Sequence, residues 1–286
     1  MTVPNLANPI FPIIYAGAEI SLAEEGYALV IGSDSLMVSD SDDEERIEEV
    51  NEILRSHYVD GWILTDALKD GMLPEIMSNE RVPAVLVNRT ADRIAAPSIV
   101  PDHYMGIELI LEHLFGLGHK AIAHIAGPEN VSTGVARREA FIDGMHAQGL
   151  ETPNALTVHA GAFLTGSGRV ACEALLDSGE HFTAIVAGND LIALGCYDAL
   201  AARGIDVPGS VSVTGFDDMA FIDRVHPPLT TVSVPYYEMG VASGKIMLGL
   251  LTDSEVEAAS NDDLSTRLPP SIVIRSSTAP PKPSGH

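Results

Sequence analysis

Three short stretches combine residue types able to hold a polar ligand. Ala184-Ile185-Val186-Ala187 runs into Gly188-Asn189-Asp190, and Val211-Ser212-Val213-Thr214 runs into Gly215-Phe216-Asp217-Asp218. Ser132-Thr133-Gly134 lies just before Arg137-Arg138. An asparagine amide both donates and accepts, which suits a polyhydroxylated molecule at Asn189. Asn189 or Asp190 could equally do no more than cap the helix that follows. Asp217 could accept from two sugar hydroxyls, its charge strengthening each bond; with Asp218 it could instead ligate a metal or form a solvated turn. Arg137 presents a planar fork for hydroxyls or a carboxylate, although a surface ion pair with Glu139 or Asp143 would also account for the two arginines. Phe11, after Asn8-Pro9-Ile10, and Phe163, after His159, are candidates to stack on a ring. Trp62, inside an apolar strand, reads as core.

Signatures of enzymes and metal sites are missing from the sequence. The ten histidines form no HExxH and no zinc-like pair. There is no GxSxG and no P-loop, and Gly116-Leu117-Gly118 reads as a helix stop rather than part of a dinucleotide loop. Asp40–Glu45 lacks the glycine and the twelfth-position glutamate of a calcium loop and reads as carboxylates at a helix N-terminus, where the helix dipole favours them. No cofactor, metal or enzymatic activity is expected. Cys172 and Cys196 read as reduced, buried thiols.

These residues must be carried by alternating elements. Short apolar strands are expected at Ala28–Ile31, Gly61–Leu64, Pro83–Val87, Ser98–Val100, Ala121–Ile125, Leu156–His159, Ala184–Ala187 and Val211–Thr214. Between them fall helices: an acidic one from Ser39 to about Arg55, a short one at Leu73–Asn79, and one with Ile107, Ile110, Leu111, Leu114 and Leu117 on a single face. Further helices are expected at Gly134–Gln148, Ser167–Leu176 and Leu191–Arg203. Strand–helix alternation with near-continuous apolar strands is the pattern of α/β folds with parallel sheets covered on both faces. One sheet of all these strands would be very wide, so two doubly wound parallel-sheet domains are expected. Leu229–Val232, the helix Tyr236–Leu251 and Ser271–Ile274 would return to complete them. Thr252–Pro270 reads as a polar loop and Thr278–His286 as a frayed, Pro-rich tail.

The 286 residues carry 40 acidic against 16 basic side chains, a net charge of −24. Gripping phosphates needs a dense Lys/Arg face, so these residues do not read as a nucleic-acid grip, nor as a partner for an anionic membrane. No apolar run reaches the roughly 18 to 20 residues of a membrane span, and Met1–Asn5 does not open a secretory signal. A soluble, cytoplasmic protein is expected.

Several stretches, taken in order, resemble the sensor domain of the lactose/galactose repressor (LacI) family. They are Leu117-Gly118-His119-Lys120-Ala121-Ile122-Ala123, Gly127-Pro128, Arg137-Arg138-Glu139-Ala140-Phe141, Ala187 to Gly195, Val207-Pro208, Val211 to Asp218, and Pro228-Leu229-Thr230-Thr231-Val232. The resemblance covers about residues 3 to 276. It implies a periplasmic-binding-protein-like pair of α/β domains with effector held between them. Three crossovers are implied near Asp102-His103, Ser233–Pro235 and Leu268–Pro270. The implied domains are 1–102 plus 235–267 and 103–234 plus 268–278, with 279–286 a disordered tail. Matched residue by residue, the implied ligand contacts are Ile10, Phe11, Thr133, Arg137, Phe163, Asn189 and Asp217, with Asp102 and His103 as weaker matches. His103 stands where the family often has asparagine.

By this resemblance the chain would be the effector-sensing, dimerising part of a transcriptional repressor. Its small-molecule effector would be a small hydroxylated ligand, a sugar or related polyol or a nucleoside-like molecule. A homodimer would form along the helix starting near Phe11 and the segment after Thr65, and operator DNA would be held by a helix-turn-helix headpiece that these residues do not contain. A solute-binding protein of a sugar transporter is the alternative with the same fold, and an enzyme on a doubly wound sheet a third.

Overall fold

The computed structural model describes residues 1–33, 59–69, 82–92, 94–252 and 265–282. The expected helices at 39–55 and 73–79 lie outside them. From the N-terminus the elements are β1 (Thr2–Val3), α1 (Ile10–Ala23), β2 (Gly32–Ser33), β3 (Trp62–Leu64), β4 (Ala84–Val87) and β5 (Ser98–Pro101). There follow α2 (His103–Gly116), β6 (Ile122–Ala126), α3 (Ser132–Ala147), β7 (Thr157–His159), α4 (Thr165–Asp177), β8 (Ala184–Ala187) and α5 (Asp190–Ala202). The last are β9 (Ser212–Thr214), β10 (Thr231–Ser233), α6 (Tyr236–Thr252), β11 (Ser265–Leu268) and β12 (Ser271–Val273). The chain divides into two compact units, one of Met1–Pro101 with Pro235–Leu268, the other of Asp102–Val234 with Pro269–His286.

Unit 1 holds a six-stranded sheet in the order β11-β5-β4-β3-β1-β2, with every pair parallel. Trp62, Leu64 and Leu86 lie in its core. Helices α1 and α6 pack backbone to backbone, because a methyl at Gly17 would overlap the Tyr237 carbonyl and one at Gly240 the Ile14 carbonyl. Such an approach is open only to residues without a Cβ.

Unit 2 holds a parallel four-stranded sheet, β7-β6-β8-β9. All of β8, Ala-Ile-Val-Ala, is buried, as a parallel strand covered on both faces requires. Leu175, Ile192 and Leu200 from α4 and α5 close its core. Both cysteines are free and buried between those two helices, with Cys172 Sγ 4.0 Å from the Cys196 carbonyl. A separate antiparallel ladder pairs β10 with β12, from Thr231↔Val273 to Ser233↔Ser271.

The α/β class with parallel sheets is as the residue pattern predicts, but four local expectations are corrected. The strand expected at Ala28–Ile31 pairs instead at Gly32–Ser33, the residues that lie in register with Thr2–Val3. The loop expected over Thr252–Pro270 contains β11, an edge strand parallel to β5; its Ser-Thr-Arg-Leu sequence shows no apolar run because an edge strand is solvated. Leu229–Val232 and Ser271–Ile274 are expected to complete sheets; the first extends the unit 2 sheet only by the isolated parallel bridges Thr214↔Thr230 and Asp217↔Ser233, while Thr231–Ser233 and Ser271–Val273 pair with each other. The tail from Thr278, expected to fray, is held over its described part. Ala279 accepts from His119 Nε2 (2.9 Å) and exchanges two 3.1 Å bonds with Ser212 Oγ, while Thr278 Oγ1 meets His113 Nε2 at 2.9 Å.

Candidate functional site

In parallel α/β sheets ligands bind beyond the carboxyl ends of the strands. In unit 2 these ends deliver a buried polar cluster. Arg137, on α3, is 3 % exposed. Its Nη1 donates to the Gly188 carbonyl just past β8 (2.6 Å), its Nη2 to Asp217 Oδ1 past β9 (3.2 Å), and its Nε to His103 Nδ1 at the start of α2 (3.3 Å). Since a guanidinium only donates, the Nδ1 of His103 is an acceptor. The guanidinium carbon lies 3.7 Å from the centroid of the Phe216 ring, a cation–π contact. Phe216 fits because α2 carries Gly106 opposite it; a Cβ there would come 2.6 Å from the ring.

Asn189 both caps α5 and joins this cluster. Its Oδ1 accepts from Ile192 N (2.9 Å) while its Nδ2 donates to Asp217 Oδ2 (3.4 Å). Asp217 is therefore tied to a cation through one oxygen and an amide through the other. The backbone beneath it is unusual, with Asp217 at φ 116° and Asp218 at φ 54°. Two adjacent non-glycine residues with positive φ persist only where their surroundings hold them. Asp217 N donates to the Val232 carbonyl (2.8 Å), and the Asp218 carboxylate meets Arg275 Nη2 at 2.6 Å.

Behind Asp217 lies a second carboxylate, that of the fully buried Asp190, accepting from Thr231 Oγ1 (2.5 Å) and Met219 N (2.8 Å). Burial, and then the neighbouring Asp217 charge, hold its pKa well above the usual carboxylate range. A buried ion pair such as Arg137–Asp217 contributes little net stability, because desolvating the charges offsets their attraction.

The other expected contacts fall as follows. Thr133 is buried in the first turn of α3. Phe163 precedes α4, half-buried, with its ring over Gly127, where a Cβ would overlap it. Asp102 caps α2, accepting from Met105 N at 2.9 Å. Ile10 and Phe11 belong to unit 1, both buried in the first turn of α1. Hydrogen bonds thus join Arg137, Asn189, Asp217 and His103 directly.

Some residues of these clusters are not among the expected contacts. Phe216 and the Gly188 carbonyl complete the seat of Arg137. Unit 1 has its own polar group at the ends of β3 and β4. Asp66 Oδ1 accepts from Thr2 Oγ1 (2.5 Å), whereas its Oδ2 and Asn88 Oδ1 are buried without a hydrogen-bond partner. Burial raises the Asp66 pKa, the Thr2 bond opposing it. Thr65 Oγ1 donates to the Thr2 carbonyl (2.7 Å). Reading the residue after each strand, applied to β3 and β4 as to β8 and β9, would have found them. Among the described residues no group of three or more His, Cys, Asp or Glu could hold a metal, and no helix is long and apolar enough to cross a membrane.

Comparison with known proteins matches residues 111–278 to the periplasmic binding protein-like domain. The HTH-type transcriptional regulator MalR of Streptomyces coelicolor is 32% identical over 287 residues, covering 98% of this chain and 80% of the relative. Among solved structures, a transcriptional regulator CelR–cellobiose complex superposes with a TM-score of 0.86 at 26% identity, covering 96% of this chain and 83% of the other. A LacI family transcriptional regulator from Enterococcus faecium with bound ribose gives 0.80 at 28% identity, covering 98% of both chains.

Proposed function

Because this chain belongs to the LacI family of transcriptional regulators, we propose that it senses a sugar and transmits its occupancy to operator DNA. The family consists of regulators rather than enzymes or transport proteins, so those alternatives are not carried further. The observation that carries the sugar reading is the buried Arg137–Asp217–Asn189 cluster at the strand ends of unit 2. An arginine fork, a carboxylate and an amide, held in fixed orientation, can meet alternating donor and acceptor demands of vicinal hydroxyls. The structural neighbours holding cellobiose and ribose support the same ligand class.

The effector contacts we assign are Arg137, Asn189, Asp217, Thr133 and Phe163 in unit 2 and Ile10 and Phe11 in unit 1, with Asp102 and His103 secondary. Phe163 supplies the apolar face that sugar rings stack on. Effector binding shifts the regulator between two states by differential affinity, a coupling of about 1 to 3 kcal/mol in such systems. DNA contact falls to a helix-turn-helix headpiece, since a chain of net charge −24 offers phosphates little. Such a protein works in the cytoplasm, as a homodimer. For the dimer, α1 offers Ile13, Ala16, Ile20 and Ala23 on its outer side, with Ile13 and Ile20 38% and 46% exposed. That spacing is a helical stripe suited to a partner helix.

The test is a thermal-shift panel of cellobiose, maltose, ribose and a nucleoside. One of them should raise the melting temperature, a saturating ligand at 100 times its Kd adding about 2.7 kcal/mol. Asp217→Ala should abolish that shift. A shift of equal size in the variant would remove Asp217 from the site, and a flat panel would remove the sugar reading.

A further inference from the structure

Asp217 can serve a ligand only if its loop keeps a conformation that its residue types disfavour. Asp217 and Asp218 both sit at positive φ, where a Cβ is crowded and only strong local constraint holds a non-glycine residue. The constraints converge on one residue, through its backbone N–H on one side and its carboxylate on the other. Asp190 N donates to the Phe216 carbonyl (2.9 Å), and the Asp190 carboxylate accepts from Met219 N (2.8 Å), so the same residue grips the loop immediately before and after the two strained positions. Its other oxygen is fixed by Thr231 Oγ1 (2.5 Å) in β10. Gly215 completes the fit, because a Cβ at that position would overlap Asp190 Oδ1. Asp190 itself is fully buried. We propose that Asp190 is a positioning residue: it clamps the Gly215–Met219 loop between α5 and β10 and so sets where the Asp217 carboxylate stands. Its importance for effector affinity rests on the sugar reading above, whereas its hold on the loop does not.

A carboxylate in this clamp accepts twice. Asparagine can replace it, because its Oδ1 takes the Met219 N–H while its amide donates to Thr231 Oγ1, whose hydroxyl hydrogen is free to rotate. Alanine can do neither. The test is hydrogen exchange on the full chain without ligand, comparing peptides over 215–222 with those over β6 and β8. Asp190→Ala should speed exchange in the loop by about tenfold or more while β6 and β8 keep their protection. Asp190→Asn should stay within about twofold of the unsubstituted protein. Thr231→Val, which removes one contact and leaves the Met219 bond, should fall between them; this variant and Asp190→Asn decide the matter should Asp190→Ala fail to fold. Unchanged loop exchange in Asp190→Ala would overturn the proposal. So would equal acceleration throughout unit 2, or an asparagine variant as damaged as the alanine one. In parallel, titration with cellobiose, maltose and ribose should show Asp190→Ala weakening the bound sugar about 10- to 100-fold and Asp190→Asn leaving it nearly unchanged. If the unsubstituted protein binds none of the three, the sugar reading fails, and the exchange result still decides the role of Asp190.

Discussion

His124 sits in the middle of β6 with no exposed surface. Its Nδ1 lies 2.8 Å from the Val186 carbonyl, which can only accept, so Nδ1 carries the hydrogen. The other nitrogen, Nε2, is buried with no hydrogen-bond partner, and the ring stacks on Phe141 with centroids 4.7 Å apart. A second proton on Nε2 would be a buried charge with no counter-ion. Burial accordingly lowers the pKa to about 4; the Val186 bond opposes the shift, and the positive groups His159, Arg138 and Arg137 add to it. In the unfolded chain the ring titrates near 6.5. As the pH falls below that value the unfolded state takes up a proton that the folded state refuses, so stability is complete above about 6.5 and is lost progressively down to about 4. At about 1.36 kcal/mol per pH unit the whole interval is worth about 3 kcal/mol, and about 2 kcal/mol is already gone at pH 5. His124→Phe keeps a ring against Phe141 and removes the titration. The measurement is urea unfolding at pH 7.5 and pH 5.0, followed by far-ultraviolet circular dichroism. Fluorescence is the wrong probe here, because the single tryptophan, Trp62, belongs to unit 1. Between the two pH values the unsubstituted protein should lose about 2 kcal/mol more than His124→Phe, all other titrations being common to both. Losses equal to within about 0.5 kcal/mol would refute the account of a neutral, unpaired imidazole.

Three further outcomes follow from the same reasoning. Asp217→Asn should cost about 3 to 5 kcal/mol by stranding the buried Arg137 charge, and adding Arg137→Met should recover most of it; a double-mutant cycle in urea showing simple additivity would contradict the pairing. Gly240→Ala should destabilise unit 1 by about 1 to 3 kcal/mol, because its methyl meets the Ile14 carbonyl rather than a side chain able to move aside, and here Trp62 fluorescence is the right readout. Ending the chain at Ser277 should lower the melting temperature by several degrees, since each lost bond of Thr278 and Ala279 is worth about 1 kcal/mol; a truly frayed tail would leave it unmoved.

The parts of the fold that could be read from the sequence are those where burial dictates residue type. Ala184–Ala187 is covered on both faces, so its four apolar residues and the Gly188-Asn189 break mark its ends without ambiguity. Ser265–Leu268 has the same backbone geometry, but as an edge strand it needs no apolar run, and nothing in Ser-Thr-Arg-Leu distinguishes it from a loop. Pairing of β10 with β12 depends on register between segments far apart in the chain, which local pattern does not encode. The site divides in a similar way. Arg137, Asn189 and Asp217 stood out because each polar side chain follows a strand or opens a helix. Their mutual contact was not legible, nor were the partners that hold them: a backbone carbonyl at Gly188, a ring face at Phe216, and the positive φ at Asp217. Thr65, Asp66 and Asn88 belong to no motif; their place just past β3 and β4 is the signal that could have found them, and Asp66 Oδ2 and Asn88 Oδ1 are buried without a hydrogen-bond partner.

The β10–β12 ladder has a consequence for protein engineering. Ser233 and Ser271 are its terminal partners, directly opposite each other in an antiparallel pair. Everything between Pro235 and Leu268 leaves and re-enters unit 2 through that one pair. In topological terms the excursion is a hairpin loop grown to the size of a helix and a strand. A two-residue Asn-Gly connection matches the twist of an antiparallel pair and would close the hairpin at Ser233 and Ser271. With a chain start at Asp102, that splice defines a contiguous single-domain gene for unit 2, complete with the elements that position Arg137, Asn189 and Asp217.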